Sequence, residues 1–513
     1  MIPFNCLTFS ILCMVVGAPV AYYIGRRNGY YAGIFALLVM IASFMGFAVA
    51  WFDMAYLDPS LTHWEALPWF DPNIVLNPST PRPWVFGLLL DSLSLPIAAI
   101  VLILTTAATC YSIGYMRDEH GRGKYFALLL LYNAGILGVV LATNLLEFYL
   151  FWELMLIPSY FLIAQWGSKP KSVTIAFKYF IFTHVGAVCI ILAIAGVWTL
   201  SAFPTLNMAS AISTEVISLT SAMANPALLD LVKLLVVLFL LGFSVKMAIV
   251  PIHTWLPDAH AEAPTPISVI LSGVMIETAA YAIVRILLTF MLDAFLSFAP
   301  ILSVFGVITM IYGGVMALAQ KDTKRLFAYS SISQMGYIFF GLSTVIAAGV
   351  TGATFHIFTH ALGKGLLFMT AGALILQVGH EHGRDITAMG GLARTMPWTA
   401  TVALIAALSI AGTPPLAGFA SEWIIFAGGA MTGNFFIVLF AVASTALTAS
   451  YVLWFIRRVF FGPTPPEMER IKDTPWTVRA PMLALAVLAI VIGVWPALVV
   501  NPIYQAIAAI FGI

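Results

Sequence analysis

The sequence predicts an all-α polytopic membrane protein with about 14 transmembrane helices. Three observations predict it. Of the 513 residues, 61% are hydrophobic and only 9% charged, whereas a soluble chain carries about 25% charged residues. Fourteen apolar runs approach the ~20 residues that a helix needs to cross the hydrocarbon core. Lysine and arginine also fall almost entirely into alternate loops.

The runs lie at 8–24, 30–51, 85–111, 126–142, 145–166, 175–200, 227–250, 265–290, 297–319, 325–348, 350–377, 397–428, 433–456 and 479–510. Residues 8–24 follow no basic segment and precede no A-x-A site, so a retained first span is expected rather than a cleaved signal. Residues 52–84 carry Asp53, Asp58, Glu65 and Asp71 beside six prolines and predict a structured loop at most. With the amino terminus outside, 18 of the 23 basic residues fall in inside loops, and Arg82 alone falls outside. The other four, Lys233, Lys246, Arg285 and Lys364, fall within spans. This bias fits the positive-inside rule and puts both termini on the outer side of a prokaryotic cytoplasmic membrane.

Composition also excludes classes. Disorder needs low hydrophobicity and high charge. A transmembrane β-barrel needs alternating segments of ~10 residues, which are absent. A net charge of +1 gives no basic face for nucleic acid. Cys6, Cys13, Cys110 and Cys189 are scattered and form no C-x-x-C, so iron–sulfur or zinc ligation is unsupported. No glycine-rich nucleotide motif lies in a loop. No cofactor or metal is expected in this chain.

Ile-Phe-Thr-His occurs at Ile181–His184 and again at Ile357–His360. The same offset, 176 residues, carries Lys246 onto Glu422, each beside a proline-rich break. The expected organisation is three amino-terminal helices (1–111), a first five-helix repeat (126–290), a second of inverted topology (297–456) and a last helix (479–513). Each repeat carries a proline-broken helix, an arrangement recurrent in transporters. Irregular backbone survives at membrane depth only where protein or water satisfies it.

Ionisable residues within spans cost roughly 2.5–3.5 kcal/mol on insertion scales and are functional candidates by default. Glu153, Lys246, Glu277, Lys364 and Glu422 alternate in sign along the chain, which suggests a lateral proton path. Glu153 and Lys246 read as a switchable pair. His360 and Lys364 share a helix face, and His184, the repeat mate of His360, is a candidate relay member. His356 and His360 form H-x-x-x-H, but no glutamate follows as in a zinc-protease helix. His253 and His260 flank the first break and read as helix caps or as a water-lined opening. Arg285 is expected to snorkel to the membrane surface.

Phe151–Gln165 (FWELMLIPSYFLIAQ) and Val245–Thr265 (VKMAIVPIHTWLPDAHAEAPT) resemble the antiporter-like subunit M family (NuoM) of respiratory complex I. The resemblance implies a fourteen-helix fold that translocates protons as a non-redox subunit of an NADH:quinone oxidoreductase-type translocase. Flavin, iron–sulfur clusters and quinone then belong to partner subunits, and further antiporter-like subunits are implied as neighbours in the lipid bilayer. By motif match, Glu153, Lys246, His360 and Glu422 correspond to the family's ionisable residues. The chain departs at Glu277, where subunit M usually has lysine, and at Lys364, where it usually has none. Thr359–Phe368 (THALGKGLLF) and Ser409–Gly418 (SIAGTPPLAG) instead look like the larger antiporter subunit, Mrp-type Na+/H+ antiporters and energy-converting hydrogenases. An archaeal complex I relative is therefore an alternative, with a reduced deazaflavin in place of NADH as electron donor.

Overall fold

The computed structural model describes residues 5–56, 62–70, 84–168, 171–200, 226–380 and 382–513. Asp58, Asp71 and Arg82, used in the loop and charge readings, and Lys169, one of the 18 inside basic residues, lie outside the described residues. The chain opens with α1 (Cys6–Arg27), α2 (Gly29–Tyr56), an antiparallel hairpin of β1 (His63–Phe70) and β2 (Trp84–Leu90), and α3 (Ser94–Tyr115). Next come α4 (Arg122–Leu141), α5 (Leu145–Trp166), α6 (Ser172–Leu200), α7 (Pro226–Met247), α8 (Trp255–Glu262) and α9 (Thr265–Leu288). A short α10 (Leu292–Leu296) leads to α11 (Ala299–Leu318), α12 (Thr323–Ser343) and α13 (Ala347–Val378). The broken pair α14 (Pro397–Ile410) and α15 (Ala417–Met431) precedes α16 (Phe435–Phe460), α17 (Trp476–Val494) and α18 (Ala497–Phe511).

The protein is an all-α polytopic membrane protein apart from the hairpin. Twelve of the described helices are long and apolar enough to span a bilayer. The remaining two expected spans are the polar α12 and the α14–α15 pair. Three boundaries differ from expectation. The hairpin occupies part of the supposed loop and takes residues 85–90 from the third span. There Asp91 Oδ1 accepts the Leu93 and Ser94 amides (3.1 and 2.8 Å), so α3 starts only at Ser94. The last span divides at Trp495–Pro496, because Pro496 has no N–H to continue the ladder.

Polar contacts sort the helix ends onto two faces. On the hairpin face, Glu65 accepts the amides of Leu7 and Thr8 at the start of α1 (2.7 and 2.8 Å). Gly87 on β2 donates to Glu147 near the start of α5 (3.2 Å), and Arg285 near the end of α9 reaches Asp91 (2.7 Å). On the opposite face, Asp258 of α8 pairs with Lys178 near the start of α6 and Arg325 at the start of α12, both at 2.8 Å. Arg384, after α13, pairs with Asp322 at 2.7 Å. The spans whose ends these contacts fix alternate in direction: α5 and α6 start on different faces, and α12 starts where α13 ends. The core lies around α9, where the whole span is buried, and around α12 and α13.

His63 ties the hairpin to α2 and α1. Its Nδ1 lies 2.6 Å from Asp53 of α2, and its Nε2 lies 3.0 Å from Glu65. Burial alone would lower its pKa, but hydrogen bonds and charge from Glu65 and Asp53 outweigh that and raise it above 6.5. Burial would raise Glu65, yet its bonds to His63, Thr8 and Leu7 hold it below 4.5. The Glu65 contribution is full above its unfolded pKa and is lost as pH falls through the lowered folded value. The His63 contribution is full below 6.5 and is lost as pH rises through the raised value. Proteolysis of the hairpin in the intact protein should be slowest between about pH 4.5 and 6.5 and should accelerate above that window. His63→Gln should remove the acceleration; a wild-type rate flat from pH 6 to 9, corrected for the protease, would refute the tie.

Candidate functional site

Each broken helix re-satisfies its own backbone. α7 stops at Met247, and Ala248 takes a left-handed φ of 56°. The freed Val245 carbonyl accepts the Trp255 indole N–H (2.9 Å), and the Val250 amide donates to the Thr309 hydroxyl (3.2 Å). Lys246 thus sits in the last turn of α7, whose free carbonyls favour a cation. The second break turns at Gly412, φ 64°, with the Thr413 amide closing on Leu408 O (3.0 Å). Lys246 ends the first half of its broken helix, whereas Glu422 lies in the second half of the other. The sequence offset that joins them therefore does not place them at matching points of their breaks.

The structure distributes the predicted residues over two groups. Glu153 of α5 faces His184 of α6, with 3.6 Å between Oε1 and Nδ1. Lys246 does not close an ion pair on Glu153. Its ammonium lies 5.1 Å from the centre of the Trp152 ring, a cation–π contact, and has no hydrogen-bond partner among the described residues. The His184 side chain is 44% exposed, on the flank of the helix bundle.

The second group is enclosed. α9 widens into turns with i→i+5 bonds at Leu271–Met275 and Ile283–Leu288, on either side of Glu277. Such turns re-aim a side chain by adding a residue to the helical turn. Glu277 Oε1 and His360 Nδ1 of α13 share a hydrogen bond, and both residues are almost wholly buried. The His360 ring stacks on His356, 6.1 Å between centres. His356 bonds Ser421 of α15 through Nδ1 (2.9 Å) and Gln334 of α12 through Nε2 (2.8 Å). These bonds engage both ring nitrogens. Glu422 follows Ser421 and is 5% exposed, with its carboxylate against Gly412.

Lys364, one turn beyond His360, donates to Phe327 O (3.2 Å) and to the Ser330 hydroxyl. Ser330 donates onward to the Tyr451 hydroxyl of α16 (2.8 Å). Glu277, His360, His356 and Ser421 thus form a polar row across α9, α13 and α15, with the Lys364–Ser330–Tyr451 branch beside it. Glu422 lies next to them, its charge felt at Tyr451 and at Tyr337, whose ring stacks on His356. Sequence reasoning missed Ser330, Gln334, Ser421 and Tyr451. The signal for the first two was present: Ser330, Ser331, Ser333 and Gln334 crowd one expected span, and all are buried.

The first break's histidines also separate. His253 packs edge-on against Tyr312 (4.8 Å), and His260 stacks on Phe368 (4.7 Å), fully buried. Arg285 does not snorkel. It is 8% exposed and makes a two-pronged ion pair with Asp91, because the carboxylate at the start of α3 meets it below the surface.

Residues 142–448 match the family described as "NADH:quinone oxidoreductase/Mrp antiporter, TM". Residues 83–126 match "NADH-Ubiquinone oxidoreductase (complex I), chain 5 N-terminus". The chain belongs to this antiporter-like family of membrane subunits. It is 35% identical to NADH-quinone oxidoreductase subunit M of Pseudomonas aeruginosa over 80% of its own length and 79% of that protein. A chain of an archaeal membrane-bound sulfane sulfur reductase is 27% identical, with a TM-score of 0.82, covering 97% of this chain and 77% of that one. A chain of respiratory complex I from Thermus thermophilus, 23% identical, shares the fold with a TM-score of 0.82, covering 99% and 100%. The larger matched segment of this family member contains Glu153, His184, Lys246, Glu277, His360, Lys364 and Glu422. The ionisable row therefore lies within the part that defines the family.

Proposed function

We propose that this chain is a proton-translocating, antiporter-like subunit M in the membrane arm of a complex I-type oxidoreductase. The observation that carries the reading is the enclosed row from Glu277 through His360 and His356 to Ser421, with Lys364 beside it and the buried Glu422 nearby. Buried charges are costly unless paired, so a proton gained or lost at one member changes what its neighbours tolerate. That coupling suits ion movement better than it suits static packing. The residues proposed to carry the proton are Glu153, Lys246, Glu277, His360, Lys364 and Glu422. His184 is a relay member beside Glu153, on a flank suited to contact a neighbouring membrane-arm subunit. The first and second five-helix repeats would be the two halves of this device, with the basic face in the cytoplasm and both termini outside.

In this reading the chain does no redox chemistry. Electron transfer from NADH or a reduced deazaflavin to quinone would occur in partners that hold flavin and iron–sulfur clusters. Lys364 and the kinship with the archaeal reductase favour a second reading, membrane subunit of an energy-converting reductase, hydrogenase or Mrp-type antiporter. Purifying the tagged chain in mild detergent and sequencing its co-purifying proteins separates these. Flavin, iron–sulfur and quinone-site subunits are the expected result. A nickel–iron subunit, or only small multi-pass proteins, would replace the reading with a hydrogenase or an antiporter.

A further inference from the structure

Along α9, Glu277, Tyr281 and Arg285 follow at intervals of four, and the column ends at Asp91 on the hairpin face. The Tyr281 hydroxyl donates to Val140 O of α4 (2.7 Å) and accepts from Arg285 Nε (2.9 Å). The two terminal guanidinium nitrogens donate to the two Asp91 oxygens, each at 2.7 Å. Asp91 is itself fixed by the Leu93 and Ser94 amides, and its side chain is 20% exposed. The column thus runs from the buried row to the surface, with a guanidinium held across it.

We propose that Arg285 is a proton barrier that closes the hairpin end of the α9 column at Glu277. A guanidinium stays charged and cannot hand a proton on. A fixed cation in a narrow polar column repels protons, as in other selective pores. Protons on Glu277 are then directed sideways to His360 instead of escaping straight to the face that the charge bias puts outside. Tyr281 and Asp91 are positioning residues: the first sets the depth of the guanidinium, and the second fixes its plane. Arg285 lies within the wide turn over Ile283–Leu288. The inference rests on the proposed proton role of Glu277.

The test is passive proton flux into liposomes holding the intact complex, driven by a potassium diffusion potential with no electron donor, and read by a trapped pH dye. Arg285→Gln should raise the flux at least about tenfold, equivalent to removing ~1.4 kcal/mol of barrier. Arg285→Lys, which keeps the charge but has an ammonium that can release its proton when buried, should leak more than wild type and less than Arg285→Gln. Asp91→Asn, which frees the guanidinium, should leak to an intermediate degree. Adding Glu277→Gln to Arg285→Gln should suppress the leak. Assembled Arg285→Gln complexes as tight as wild type would overturn the barrier. A leak indifferent to Glu277→Gln would also overturn it, while leaving turnover-driven pumping to judge the row separately. Should Arg285→Gln fail to assemble, the Asp91→Asn flux decides: a leak supports the barrier, and tight liposomes overturn it.

Discussion

Gly412→Ala is expected to abolish proton translocation while costing only modest stability. Gly412 sits at φ 64°, a backbone region that L side chains rarely adopt, and a Cβ there would lie 2.3 Å from Glu422 Oε2. The backbone strain is worth about 1–3 kcal/mol. The collision adds a displacement of the carboxylate, which the break positions against its own turn. Gly433→Ala separates the two effects. Its φ is 76°, and nothing lies within 4 Å of the added carbon. Both variants should lower the melting temperature of the purified complex to a similar extent. Only Gly412→Ala should stop proton transport. Equal transport by the two variants would mean that the seat of Glu422 is not part of the path.

Glu277→Lys is expected to cut proton translocation at least about a hundredfold, the lower range for losing a positioned acid–base group. His360 Nδ1 would lose its carboxylate, and a second ammonium would join Lys364 in an enclosed group. Lys364→Met added to Glu277→Lys should restore part of the activity, because the pair then carries the charge arrangement usual in subunit M. Coupling between neighbours in one network is typically about 0.5–3 kcal/mol, so the cycle should be clearly non-additive. Independent, additive losses would show that the two departures from the subunit M pattern are unrelated.

Much of this site is legible in the sequence because charge within an apolar run is rare and conspicuous. Glu153, Lys246, Glu277, Lys364 and Glu422 stand out for that reason, and proline and glycine mark both breaks. Partnership is another matter. Arg285 looks free to snorkel until Asp91, 194 residues away in sequence, is brought against it by the start of α3. Lys246 and Glu153 look like a direct pair; they are close enough to interact by charge, but the ammonium rests over the Trp152 ring and Glu153 Oε1 lies 3.6 Å from His184 Nδ1. Ser330 and Tyr451, which carry the Lys364 branch, are ordinary residues made special by 121 positions of intervening chain. The number of spans follows approximately from hydropathy. The hairpin and the division at Pro496 depend instead on local capping and a missing N–H, which a hydropathy window averages away.

The most direct measurement is proton uptake during electron transfer in liposomes holding the complex with Lys364→Met. Methionine keeps the length of the side chain but removes its proton and its bonds to Phe327 O and Ser330. The account predicts an assembled complex whose proton translocation is lost or sharply reduced. An assembled complex that moves as many protons per electron as wild type would contradict it.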